Sequence, residues 1–158
     1  MADKAGEAED GVTAMRQCWT GLRRLALPLV LVVGMAATAP DWVLKDNGYR
    51  SFLRDLQTAV RSNNSRVVLD LASFPLRVNR RGGSHPYRNR AEAEKDYNRI
   101  FTPNVRRVIL AQKFDDLFGR DQGVMIGNGE VWFDHICLDR PCRTKGPVRI
   151  IAVNSQTR

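Results

Sequence analysis

Four side chains in this sequence are candidates to move a proton, and none lies in a motif that fixes a reaction: His135, Asp70, Tyr49 and Tyr97. Imidazole titrates near neutrality in water, which makes His135, in Val131-Trp-Phe-Asp-His-Ile-Cys137, the first candidate general base. A histidine on a sheet surface beside a cysteine turn would leave the same signature. Asp70 sits between Leu69 and Leu71, a carboxylate with apolar neighbours, although a helical residue so flanked commonly points to solvent. Tyr49 and Tyr97 fall on apolar helix faces, where a hydroxyl either reaches a pocket or accompanies a packed ring. A cofactor-free acid–base enzyme, of the isomerase or dehydratase kind, is the alternative these four residues support. Nothing calls for a cofactor.

Cys137 and Cys142 are separated by Leu-Asp-Arg-Pro. A metal site would want four ligands, and His135 is the only nearby partner; redox catalysis favours a tighter Cys-x-x-Cys at a helix start. The pair is therefore expected to be a structural disulfide clamping the base of a hairpin, worth about 2 kcal/mol for so short a loop. Gly127-Asn128-Gly129 opens a strand with a Trp-Phe centre, not a helix, so it reads as a turn and not a phosphate cradle. Within that strand Val131, Phe133 and His135 share one face and Trp132, Asp134 and Ile136 the other. Trp132 and Phe133 are the candidate pocket walls.

The segment Arg77-Val-Asn-Arg-Arg-Gly-Gly-Ser-His-Pro-Tyr-Arg-Asn-Arg90 carries five arginines, Arg77, Arg80, Arg81, Arg88 and Arg90, with His85 among them. Two glycines and a proline mark it as a hairpin tip. The whole chain bears a formal +8, and its carriers lie after the first 39 residues, which hold four basic and four acidic side chains. Attraction to anionic partners follows, and nothing about fold. An anionic envelope polymer, a lipid head group, a small molecule or an acidic protein would fit. Export, argued below, speaks against nucleic acid, and only Tyr87 is at hand for stacking.

The elements that must hold these residues follow from periodicity. Tyr49, Phe52, Leu53, Leu56 and Val60 recur at three and four, one face of a helix from about Asp46 or Asn47 to Ser62. Val67, Val68 and Leu71 predict a short second helix capped near Asn64. Phe74-Pro-Leu-Arg-Val-Asn79 alternates as an edge strand, reversed at Gly82-Gly83 toward Ser84–Arg88. Ala93, Tyr97, Ile100 and Phe101 face inward from a helix over Ala91–Phe101. Thr102-Pro103 then starts another, with Val105, Val108 and Ile109 buried. Three strands close the chain: Val124–Ile126, Glu130–Cys137 and Val148–Val153. Helices laid on one face of an antiparallel sheet is an α+β plan.

Leu25 to Ala39 is a 15-residue apolar stretch preceded by Arg23 and Arg24 and ended by small residues. That is the layout of a secretory signal peptide. A membrane-spanning helix needs about 20 apolar residues, and Pro28 interrupts this one. Residues 1–39 are read as leader, with Met15 a plausible true start. Residues 40–158 are read as one domain with no membrane span, periplasmic or secreted. Removing the leader removes Cys18 and leaves an even cysteine count, as an oxidising compartment favours.

The order of elements, with "FPLRVN" after the opening helices and "GVMIGNGEVWF" before the final strands, resembles small exported bacterial proteins of the nuclear transport factor 2-like, or cystatin-like, superfamily. The resemblance covers about residues 47–154. It implies a curved sheet wrapped round a long helix as a cone, with a pocket between sheet and helices. Its motifs are structural, and a shared fold does not choose a function. The expectation is an exported, disulfide-clamped, non-catalytic binding domain. The acid–base enzyme above is one alternative, and an inhibitor or immunity protein acting on an envelope enzyme through the basic segment is another.

Overall fold

The computed structural model describes residues 38–156. The leader reading falls, up to residue 37, outside the described residues. The chain enters at Ala39, whose N–H donates to the Asp115 carbonyl at 2.8 Å.

A short helix α1 (Asp41–Leu44) precedes the longest one, α2 (Asn47–Arg61). Asp46 caps α2 by accepting from the Gly48 N–H at 2.7 Å, which satisfies one of the free donors of the first turn. The face expected from the spacing is the buried one: Tyr49, Phe52, Leu53, Leu56 and Val60 all lie in the core. Helix α3 (Ser65–Asp70) is capped by Asn64 and leads into strands β1 (Ala72–Arg80) and β2 (Gly83–Tyr87). The helix expected over Ala91–Phe101 is two helices, α4 (Arg90–Lys95) and α5 (Tyr97–Ile100), broken at Asp96. Helix α6 (Pro103–Ala111) begins with Thr102 Oγ1 accepting from the Val105 N–H at 3.3 Å, and proline occupies the first turn as its missing donor allows. Four strands follow: β3 (Phe118–Arg120), β4 (Gly123–Ile126), β5 (Val131–Cys137) and β6 (Lys145–Asn154).

All six strands form one sheet in the order β2-β1-β6-β5-β4-β3, with helices on it, so the domain is α+β. Three expectations about the sheet need correction. Four strands close the chain and not three, since the short β3 pairs with β4 at the far edge. The sheet is mixed, because β1 runs parallel to β6. Alternation reports which face a side chain takes, not the direction of a partner strand seventy residues away, so the local pattern carried no sign of this. Nor is β1 an edge strand: it lies between β2 and β6, and β2 is the edge. Pro75 is tolerated there because β1 departs from the register of β6 between Ala72 and Arg77, so no ladder donor is demanded of it.

The helix-facing side is apolar. Leu76 and Val78 of β1, Val131 and Phe133 of β5, and Ile150 and Val153 of β6 pack with Phe101, Ile109 and the inner face of α2. Register shifts in the β5–β6 pair keep this possible. Phe133 pairs with Ile150 while Trp132 pairs with Ala152, so Ile151 is an extra residue that lets both Ile150 and Val153 lie inward. Gly127 has φ 65°, and the Glu130 carboxylate lies where a side chain on Gly127 would sit, accepting from the Asn128 N–H at 2.6 Å. The space a phosphate would need is filled by a carboxylate. No described helix is long and apolar enough to cross a membrane.

Candidate functional site

His135 leaves β5 on the side of α2, and both of its ring nitrogens face acceptors. Nδ1 is 2.6 Å from the Gly146 carbonyl oxygen of β6, and Nε2 is 2.9 Å from Oδ2 of Asp46. A neutral imidazole has one donor and so satisfies one of the two; the imidazolium donates to both. The register shift after His135 involves the Gly146-Pro147 stretch of β6, the same stretch whose carbonyl meets the ring. Asp46 thus serves two elements, capping α2 with one oxygen and holding His135 with the other. Burial pushes its carboxyl pKa up, but the hydrogen bonds from His135 and the Gly48 N–H, with the charges of His135 and Lys145, more than offset that and hold it below 3.8.

One turn along α2, Tyr49 is buried among rings, edge-on to Trp42, Phe133 and His135. Its hydroxyl donates to Oδ1 of Asp134 at 2.5 Å, and the same oxygen accepts from the His135 N–H at 2.7 Å. Burial first, then the bond and charge of Asp134, raise the Tyr49 pKa far above 10. Gly123 leaves room for this carboxylate: a Cβ there would lie 3.2 Å from that of Asp134, at a φ of 113° that side chains rarely adopt. Asp46, Tyr49, Asp134 and His135 therefore form one linked network joining the start of α2 to β5 and β6. It borders a pocket of about 240 Å³ walled by His135, Ser51, Asp55 and Arg149 among others. Chemically the network fastens; no lone pair of the imidazole is left facing open space.

Asp70 and Tyr97 lie elsewhere. Asp70 is exposed at the end of α3 and pairs with Arg90 of α4 at 2.8 Å. Tyr97 stacks on Phe101 with centroids 5.2 Å apart, and its buried hydroxyl has no hydrogen-bond partner among the described residues. Burial raises its pKa against the lowering effect of Arg106. Of the two wall candidates, Phe133 is core, stacked on Phe52 at 4.8 Å, and Trp132 is half-buried on the other side of β5. Cys137 and Cys142 are at bonding distance, with Cα atoms 4.8 Å apart. Among the described residues no three His, Cys, Asp or Glu side chains are placed to hold a metal ion.

The second polar region is the β1–β2 hairpin and the helix after it. Arg77, Arg81 and Arg88 are exposed, and none has a carboxylate within 4 Å among the described residues. Arg80 is three-quarters buried: its guanidinium lies over the Tyr87 ring at 5.4 Å and 3.8 Å from Asp96. Its Nε and Nη2 are shielded from solvent yet meet no acceptor. Asp96 also accepts from the Tyr87 hydroxyl at 2.8 Å and pairs with Arg99 at 3.6 Å. Between β2 and α4 lies a surface cleft of about 550 Å³, walled by His85, Pro86, Tyr87, Arg88, Glu92, Lys95 and Asp96.

Sequence reasoning singled out His135 and Tyr49 but missed their partners Asp46 and Asp134 as site residues, and missed Lys95 and Asp96 beside the arginines. Asp46 had a signal, as the cap of α2; the others had none, because their roles depend on contacts far along the chain. Compared with protein families, curated proteins and solved structures, the chain matches none of them.

Proposed function

We propose that this chain is a non-catalytic binding domain acting outside the bacterial cytoplasm, built on the nuclear transport factor 2-like plan, and that its first hairpin takes an anionic partner. The observation that carries this is the imbalance of charge at that hairpin. Arg77, Arg81 and Arg88 stand in solvent with no carboxylate within 4 Å among the described residues, and the nearby Asp96 is paired with Arg80 and Arg99. Long cationic side chains left unpaired at one edge of a domain attract anions and steer them there. Helices on one face of a bulged sheet, with the longest against it, support the fold-family reading. The apolar segment before residue 40 and the bonded cysteine pair support export, since disulfides persist in oxidising compartments.

The test is retention on immobilised dextran sulfate as salt is raised, with neutral dextran as control. Reversal of Arg77, Arg81 and Arg88 to glutamate is expected to bring elution to much lower salt. Reversal of Arg54, Arg61 and Arg107, three exposed arginines of α2 and α6, removes the same charge elsewhere and is expected to change little. Equal loss in both triple variants would reduce the effect to net charge and defeat the reading. Export is tested by fractionating cells that make the full chain and sequencing the N-terminus of the product. Product confined to the cytosol with residues 25–39 intact would refute it.

A second reading rests on one observation: His135 forms part of the wall of the 240 Å³ pocket. A cofactor-free acid–base enzyme would lose turnover on His135→Gln while the protein stayed folded. The two occupied ring nitrogens weigh against it.

A further inference from the structure

We infer that the cleft between β2 and α4 is a binding site for a short anionic saccharide, one bearing carboxylate or phosphate groups. The inference rests on the binding-domain reading above and names the ligand class. The cleft's size, about 550 Å³, lies within the range of small-molecule sites. Two cations stand on its walls, Arg88 just after β2 and Lys95 from the last turn of α4, and neither has a carboxylate within 4 Å among the described residues. The two acids that share the wall are engaged. Glu92 accepts from the Arg88 backbone N–H at 2.8 Å, and Asp96 divides itself among Tyr87, Arg80 and Arg99. The mostly buried Arg80 lies over the Tyr87 ring and offsets the charge of Asp96, leaving Arg88 and Lys95 as the cations open to a ligand. A cation set against low-dielectric wall focuses its field into the cleft instead of losing it to water.

The remaining surface decides what carries the anion. The apolar part of the wall is small: Pro86 and the His85 ring, the latter edge-on to Tyr87 at 4.8 Å. That suits the C–H face of a pyranose and offers no hole for an alkyl chain. Nucleic acid would need successive ring faces for stacking, and with Tyr87 at 2 % exposure the cleft offers only His85. An acidic peptide adding to the free edge of the sheet would need successive N–H donors from β2. Pro86 removes one from a five-residue strand and interrupts such pairing. A sugar acid needs no run of ring faces and no ladder, only directed cations and the modest platform of Pro86 and His85.

The experiment is isothermal titration of the folded protein at low and physiological salt. Trigalacturonate tests the carboxylated source and a phosphorylated trisaccharide the phosphorylated one. Maltotriose is the neutral control of like size, inorganic phosphate the bare anion and tetraglutamate the peptide. One or both charged saccharides are expected to bind at least tenfold tighter than maltotriose, phosphate and tetraglutamate, more weakly as salt rises. Arg88→Ala/Lys95→Ala, at exposed positions, is expected to lose at least tenfold in affinity with an unchanged unfolding midpoint. Maltotriose, phosphate or tetraglutamate binding as tightly as the charged saccharides would overturn the proposal. So would a double variant that keeps its affinity, or no saccharide binding up to millimolar concentration. If saccharides fail while the Arg77, Arg81 and Arg88 variant still loses dextran sulfate, the ligand class falls and the hairpin reading stands.

Discussion

At the start of α2 a histidine, a tyrosine and two aspartates meet one another; at the β2–α4 cleft an equally polar set leaves Arg88 and Lys95 without a carboxylate partner. Both regions border surface pockets and both mix acids with bases. They differ in what closes their hydrogen bonds. In the network of Asp46, Tyr49, Asp134 and His135 every named group has a partner on another element or at a cap, so the energy of those bonds goes into holding α2 to the sheet. In the cleft Glu92 bonds a backbone N–H and Asp96 a tyrosine and other arginines, while Arg88 and Lys95 meet no carboxylate within 4 Å among the described residues, so donor capacity remains for something outside the chain. A cluster of titratable residues is a candidate site only after its internal partners are counted.

Four variants sharpen or break that contrast. The largest effect is expected from Phe133→Ala, under the network: the ring is fully buried against Phe52 and Tyr49, and its loss should cost about 3–5 kcal/mol in urea unfolding. A cost under 1 kcal/mol would mean the region is loosely packed and free to serve another purpose. Tyr49→Phe comes next, at about 1–3 kcal/mol, because it strips a buried donor from Asp134. Since the folded state raises the Tyr49 pKa, its contribution is present below pH 10 and lost as pH climbs past that. Wild-type protein should therefore destabilise more steeply above pH 10 than the phenylalanine variant; parallel curves would sever the bond from stability.

Asp46→Ala should cost about 1 kcal/mol at neutral pH through the lost helix cap. Because its folded pKa lies below 3.8, its contribution holds above that value and fades as pH falls through the folded one. The difference between wild type and variant should accordingly shrink between pH 5 and pH 2, and a constant difference would place the effect elsewhere. The smallest expected change in stability is that of Arg88→Ala/Lys95→Ala, within about 0.5 kcal/mol. A larger loss would show these side chains to be fastened like those of the network, and the contrast would collapse.

The parts of this architecture legible beforehand are those written in local periodicity. The buried face of α2, the Thr102-Pro103 start of α6 and the turn at Gly127–Gly129 each carry their own residue signature within a few positions. The parallel partner of β1 does not, since residues 72–79 and 150–154 meet only through the whole intervening chain. The polar network is hidden for the same reason: 85 positions separate Tyr49 from Asp134, and 89 separate Asp46 from His135. The basic hairpin could be read directly, but not the engagement of Asp96 that leaves its neighbours unneutralised.

The place of β6 has a consequence for how the domain comes into being. It is the last strand of the described chain, yet it lies between β1 and β5 in the middle of the sheet. During synthesis β1 with β2, and β3 with β4 and β5, can each form a ribbon, but no strand pairing joins the two ribbons until residues 145–154 arrive. Until then both present raw edges suited to mispairing with other chains. A late-arriving keystone of this kind leaves the sheet in two halves until the last described strand has been made.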